Sequence, residues 1–178
     1  MPFMLNGDAL APGIDVEVGG FTFSYETVAN MTEDARAGIG VTWVEPPEPP
    51  APTIEELTAA VDTERDRRID GGFTFAGHRF QSRPSDRENV MGAAQLAIAA
   101  MSQGAGPGNL RWADPENDFV WITEDNALVP LDAPTTVALF QAGIAFKSTM
   151  TFYARGLKDA LIAAEDPHSI DIYGGWPE

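Results

Sequence analysis

Twenty-seven carboxylates, eleven Lys and Arg, two histidines and no cysteine set the chemistry open to this chain of 178 residues. The densest acidic group is Asp114, Glu116, Asp118, Glu124 and Asp125, and carboxylate oxygens suit a hard cation such as Ca²⁺. The calcium-loop pattern needs a turn glycine where this chain has Phe119. Turn formation and solvated charge are therefore the favoured reading, with an ordered cation as the alternative. His78 and His168 lie in neither an HExxH motif nor an HxH pair, so both read as structural. Nucleophilic catalysis lacks its signatures, with no GxSxG, no SxxK and no thiol. Ser169 adjoins His168, but adjacency in sequence does not build a triad. Gly104-Ala105-Gly106-Pro107-Gly108 lacks the Lys-Ser/Thr of a phosphate loop and reads as a helix terminator. The residues predict no catalytic site, no cofactor and no metal.

Recognition chemistry is better represented. Glu64-Arg65-Asp66-Arg67-Arg68 is the one basic cluster, and Glu64 to Arg68 is an i,i+4 pair in the favourable order. It predicts a salt-bridged helix face, or alternatively a surface on which Arg65, Arg67 and Arg68 meet an acidic neighbour such as an adjacent copy. Trp112 and Trp121 read as core, whereas Trp43 and Trp176, near segment ends, are candidate interface anchors. Asn30-Met31-Thr32 is formally a glycosylation sequon, with nothing else to suggest a glycosylating host.

The net charge of -16 argues against nucleic-acid binding and against docking to an anionic membrane, both of which need clustered cations. Residues 1–13 carry no basic n-region, so no secretory signal is expected. No apolar run approaches the ~20 residues of a membrane span. A hydrophobic fraction of 44% nevertheless demands a folded core. The acidic excess concentrates in residues 1–52 and 104–132, leaving 53–83 nearly neutral.

These side chains have to be positioned by three segments. Residues 1–45 read as a small β-rich docking module, with a hairpin of Ile14–Val18 and Phe21–Tyr25, a capped helical turn at 32–37 and a strand at 41–44. A module this small is expected to lean on a partner. Residues 46–52 belong to a proline arm beginning at Glu45, expected to be extended and semi-rigid. Residues 53–178 predict a helix-rich domain, giving an α+β chain overall. Thr53 and Glu56 form a capping box for a helix that ends at Gly71-Gly72. A hairpin follows at 73–81, then a helix over 85–103 capped by Ser85 with Glu88 at the box position. Val90, Met91, Ala94, Ile98 and Met101 supply its apolar set. A second hairpin crosses 124–126, and Asp132 caps a long helix to about residue 164. Ile144 and Phe152 belong to that helix's apolar stripe, and Gly143 and Gly156 are places where it can bend. The tail around Trp176 packs back or meets a neighbour.

The order of several motifs is distinctive: Glu64-Arg65-Asp66-Arg67-Arg68-Ile69, Gly72-Phe73-Thr74-Phe75, His78-Arg79-Phe80-Gln81-Ser82-Arg83, Asp86-Arg87-Glu88-Asn89, Leu110-Arg111-Trp112, Phe119-Val120-Trp121-Ile122 and Phe146-Lys147. Over roughly residues 55–165 the chain resembles a family of unknown-function domains found at the C-termini of tailed-phage and prophage tail-fibre and tail-tip proteins. The resemblance implies a non-enzymatic structural component of a siphophage or phage-like-particle tail, a fibre or tip protein involved in host attachment. The implied location is the virion, with synthesis in the host cytoplasm. Other tail proteins, further copies of the chain (a trimer favoured) and a host cell-surface receptor are the implied partners. Two alternatives stand beside it: a fibre-assembly factor absent from the mature virion, and a glycan-active, receptor-degrading protein using acidic residues from Asp114 to Asp132, with Asp118 and Asp125 the positions to substitute in testing it.

Overall fold

The computed structural model describes residues 3–44 and 48–177. The chain divides into two compact units, Met1–Ala51 and Pro52–Glu178. Of the proline arm, residues 45–47 lie outside the described residues, while 48–53 carry no regular secondary structure.

In the first unit, β1 (Phe3–Leu5) pairs antiparallel with both β2 (Asp8–Ala9) and β5 (Val41–Trp43). A separate hairpin joins β3 (Val16–Val18) to β4 (Phe21–Phe23), Val16 opposite Phe23 and Val18 opposite Phe21. The expected second strand therefore stops early. Ser24 takes an extended conformation and its hydroxyl accepts the Thr27 amide, so Tyr25 begins α1 (Tyr25–Asn30) and not a longer strand. Thr32 caps α2 (Glu33–Gly38) as the spacing implied. Phe3, Val16, Val28 and Val41 form the buried centre. Arg36, the single cation among residues 1–52, lies over the Phe3 ring and donates to the Met31 carbonyl just beyond α1. It thereby meets the negative end of that helix's dipole while covering the core.

In the second unit, α5 (Ala133–Ala163) is an unbroken spine of 31 residues, about 45 Å long. Against its C-terminal half packs α3 (Ile54–Asp70), and against its N-terminal half packs α4 (Pro84–Ser102). Both run antiparallel to it: Asp62 meets Lys158 while Phe73, just past α3, reaches Gly143, and Gly108, just past α4, bonds Asp132. Two hairpins fill the angles between helices. They are β6 (Phe73–Phe75) with β7 (His78–Phe80), and β8 (Val120–Ile122) with β9 (Leu128–Pro130). Arg79 ties them together, its guanidinium 2.7 Å from Glu124 and its carbonyl accepting the Glu124 amide. The chain is α+β.

Local chemistry explains the boundaries. Thr53 and Glu56 make the reciprocal capping box of α3. The cap of α4 is Arg83, not Ser85. Pro84 has no amide to donate and is pre-shaped for the first helical position, so the helix starts there and Asp86 accepts the Arg83 amide. Asp132 caps α5 through the Thr135 amide at 2.8 Å and also accepts the Gly108 amide at 2.7 Å. Its carboxyl is held below the usual range, chiefly by the bond from Thr135. Asp132→Ala is expected to cost about 1–2 kcal/mol in urea unfolding, the usual loss on removing an N-cap.

The apolar stripes needed correction. In α5 the buried residues are Ala133, Thr136, Leu139, Met150, Ala154 and Leu161, whereas Ile144 and Phe152 point to solvent and Phe152 is 74% exposed. In α4, Val90, Ala94 and Ala97 are buried, but Met91, Ile98 and Met101 are not. A helix apolar on every side has no polar face to declare which stripe turns inward.

Candidate functional site

The interface candidates are best followed from α3. Thr53 fixes its start, and 3.6-residue periodicity puts Val61 and Glu64 on the side facing α5. Glu64 is thus carried into the buried layer with an ionised carboxylate, which is tolerable only if it is paired. Arg67 donates to it from Nε and Nη2, both at 2.7 Å, and Arg68 donates from Nε at 2.6 Å. These partners, Arg67 first, overcome the desolvation of burial and lower the Glu64 pKa to about 2.

Arg68 has two further attachments. Its Nη2 donates to the Tyr173 carbonyl at 2.9 Å, and its guanidinium lies 5.3 Å from the centre of the Trp176 ring. Trp176 is only 7% exposed and packs 4.9 Å from Tyr153. It is a core residue of its own unit, which leaves little of it for an interface. Arg65 pairs with Asp62 at 2.5 Å and with Asp66 at 2.8 Å. Asp62 also holds Lys158 of α5 at 2.7 Å. All three arginines thus have carboxylate partners within the helix, as the salt-bridged-face alternative expects. Trp43 differs: it is 55% exposed and makes an edge contact with Phe3 at 5.1 Å.

The acidic residues of 114–125 go to local structure. Asp114 accepts the Asn117 side chain and the Glu116 amide, which lower its pKa, and Asp125 does the same for the Thr123 hydroxyl and the Ala127 amide. Asp118 pairs with Arg111 and Glu124 with Arg79. Among the described residues, no group of three or more His, Asp or Glu is placed to hold a metal ion. Asp166, after the end of α5, caps a short 3₁₀ turn at Pro167–Ser169. There the Ser169 hydroxyl donates to the Asp166 carbonyl, which gives that serine a structural partner. His78 lies in β7, on the other side of the sequence from His168.

A recess that no motif announces lies where β6, α4 and α5 converge. It has a volume of about 390 Å³ and is lined in part by Phe73, Val90, Met91, Phe140, Ile144 and Lys147. Such a volume falls in the range of small-ligand clefts. Gly143 is what lets the hairpin approach here, since a Cβ would stand 3.0 Å from the Phe73 ring. Arg87 lines the recess but is committed to Asp70 at 2.7 Å and to the Ser82 carbonyl. A smaller hollow of about 200 Å³ is lined by Phe73 as well, together with Phe146 and Thr149.

A long helical spine carrying two shorter antiparallel helices and two hairpins is the class of body that this second unit represents. Residues 52–173 match the family described as a domain of unknown function, DUF4376, and the chain belongs to that family. Neither curated proteins nor solved structures give a match.

Proposed function

We propose that this protein is a non-enzymatic structural component of a bacteriophage tail, a fibre or tip part involved in attachment to the host. The observation that carries the reading is the ordered run of motifs from Glu64 to Lys147, which resembles domains encoded among tail-fibre and host-recognition genes. The family match spans that run and extends it at both ends. Two features support it further. The carboxylates most suited to chemistry are occupied as turn acceptors and ion-pair partners. Large apolar side chains stay exposed on both units, among them Trp43 and Val44 in the first and Leu96, Ile98 and Phe152 in the second. Exposed apolar surface of that kind belongs to parts that are covered on assembly. In this reading residues 1–45 dock to another tail protein, and the second unit packs with further copies of itself.

Quantitative mass spectrometry of purified particles tests the proposal. The chain is expected at the copy number of a fibre or tip component, and particles lacking it are expected to adsorb poorly to host cells. Its absence from particles that nonetheless need it for fibre formation would replace the structural reading with that of an assembly factor.

A further inference from the structure

Ser82 is only 2% exposed, and it lies on the recess of about 390 Å³ where β6, α4 and α5 converge. Its carbonyl accepts from Arg87, but its hydroxyl has no hydrogen-bond partner among the described residues. None of their side-chain oxygens or nitrogens is both sealed from solvent and unpartnered, so the small part of Ser82 that stays open includes the hydroxyl. A hydroxyl so deeply placed and still uncommitted is uncommon, because its desolvation is not repaid within the protein. The surrounding walls are chiefly apolar, from Phe73, Val90, Phe140 and Ile144. Three charged residues also reach the lining: Arg87, Glu88 and Lys147. Arg87 is held by Asp70. Lys147 is different. Of the eleven Lys and Arg, it alone has neither a carboxylate nor a carbonyl partner among the described residues, in a chain with 27 carboxylates.

We infer that this recess binds a small apolar molecule carrying one carboxylate. The inference goes beyond the tail reading and does not depend on it. The volume falls within the range of small-ligand clefts, and the apolar walls favour a ring or a short hydrocarbon body over water. Apolar walls with a few placed polar groups are the usual composition of such a site. Here the polar groups are the two that the fold leaves unused. The Ser82 hydroxyl supplies a hydrogen bond to the ligand, and the Lys147 ammonium pairs with its carboxylate. Lys147 is exposed, so its pairing selects the charge of the ligand more than it adds strength. Glu88 on the same lining opposes a second negative charge, which disfavours dicarboxylates and phosphate monoesters.

Equilibrium dialysis of the full chain against three probes of similar shape provides the test: naphthoate, neutral naphthylmethanol and cationic naphthylmethylamine. Naphthoate is expected to saturate at one per chain and to bind about fivefold tighter than the neutral probe, the upper end for an exposed ion pair. Lys147→Met should bring naphthoate down to the level of the neutral probe, and Lys147→Arg should restore the gap. Ser82→Ala removes one oxygen without adding bulk, and should weaken naphthoate and the neutral probe alike by about fivefold at unchanged helical circular dichroism. Phe152→Ala removes an exposed apolar side chain that is not on the lining, and should leave binding as it was. Naphthoate that does not saturate, equal affinity for all three probes, or unchanged binding in Lys147→Met or Ser82→Ala overturns the inference. So does a loss of binding in Phe152→Ala, which would mark adsorption to apolar surface elsewhere.

Discussion

Gly72→Ala is expected to destabilise the second unit by at least about 3 kcal/mol, whereas Gly77→Ala, five residues on, should cost only about 1–2 kcal/mol. Both glycines have positive φ, +90° at Gly72 and +82° at Gly77, so both substitutions carry the steric penalty of the left-handed region. What separates them is space. At Gly77, in the tight turn between β6 and β7, nothing lies within 4 Å of an added Cβ. At Gly72, a Cβ is driven into the Phe80 carbonyl oxygen, which is backbone and cannot swing aside. Gly72 is the residue at which α3 stops and β6 starts, with Gly71 still donating to the Arg67 carbonyl. Relieving the clash would separate the hairpin from the helix end and move Phe73 and Phe80, both buried, out of register with Leu139 and Val90. A fall in melting midpoint of about 10 °C for Gly72→Ala, against a few degrees for Gly77→Ala, is the expected calorimetric result. Equal shifts would mean that φ strain alone matters at both positions.

Gly71-Gly72 was legible in the sequence as the end of a helix, and so were both hairpins of the second unit. Their signals are local: an alternating strand, two to five turn residues, and a second alternating strand. The caps at Thr53, Thr32 and Asp132 were legible for the same reason, since a capping bond spans three residues. The start of α4 was misplaced: Ser85 with Glu88 fits a capping box, but Pro84 takes the first helical position, so Arg83 precedes the helix and Asp86 accepts its amide. Strands of two or three residues, such as β1 and β2, are too short for alternation to appear, and β1 pairs with β5 some forty residues away. The contact of Arg68 with Trp176 is likewise remote in sequence, and neither residue type announces the other. The same holds for the recess beside Phe73. It exists because three elements converge and Gly143 admits the hairpin, and no single stretch of sequence encodes that.

The second large effect is expected at Glu64, where the unmodified protein should lose stability in acid and Glu64→Gln should lose markedly less. The sign follows from the direction of the shift. Folding lowers the Glu64 pKa from 4.5 to about 2, so its contribution is complete above pH 4.5 and disappears as the pH falls from there through 2. Arg67 is largely exposed and its share is screened, which brings the contribution to about 2–3 kcal/mol. Asp114, Asp125, Asp132 and Asp171 have lowered pKa values too and weaken in the same direction on acidification. The informative quantity is therefore the difference in unfolding free energy between unmodified and variant protein at pH 7 and pH 3. That difference should be large at pH 7 and shrink at pH 3, because Glu64 of the unfolded chain is then protonated and folding has to release that proton to keep the carboxylate paired with Arg67 and Arg68. A second readout separates this role from general loss of packing. Arg68 reaches the tail only while Glu64 orients it, so Glu64→Gln should loosen Trp176 and red-shift its fluorescence before the rest of the unit unfolds. Glu64→Ala should go further, since Arg68 then keeps only the Tyr173 carbonyl as an acceptor and Arg67 is left to solvent. Parallel pH profiles for the unmodified protein and Glu64→Gln would show that the carboxylate is a solvated charge, and that the tail is held by Tyr153 and Trp176 alone.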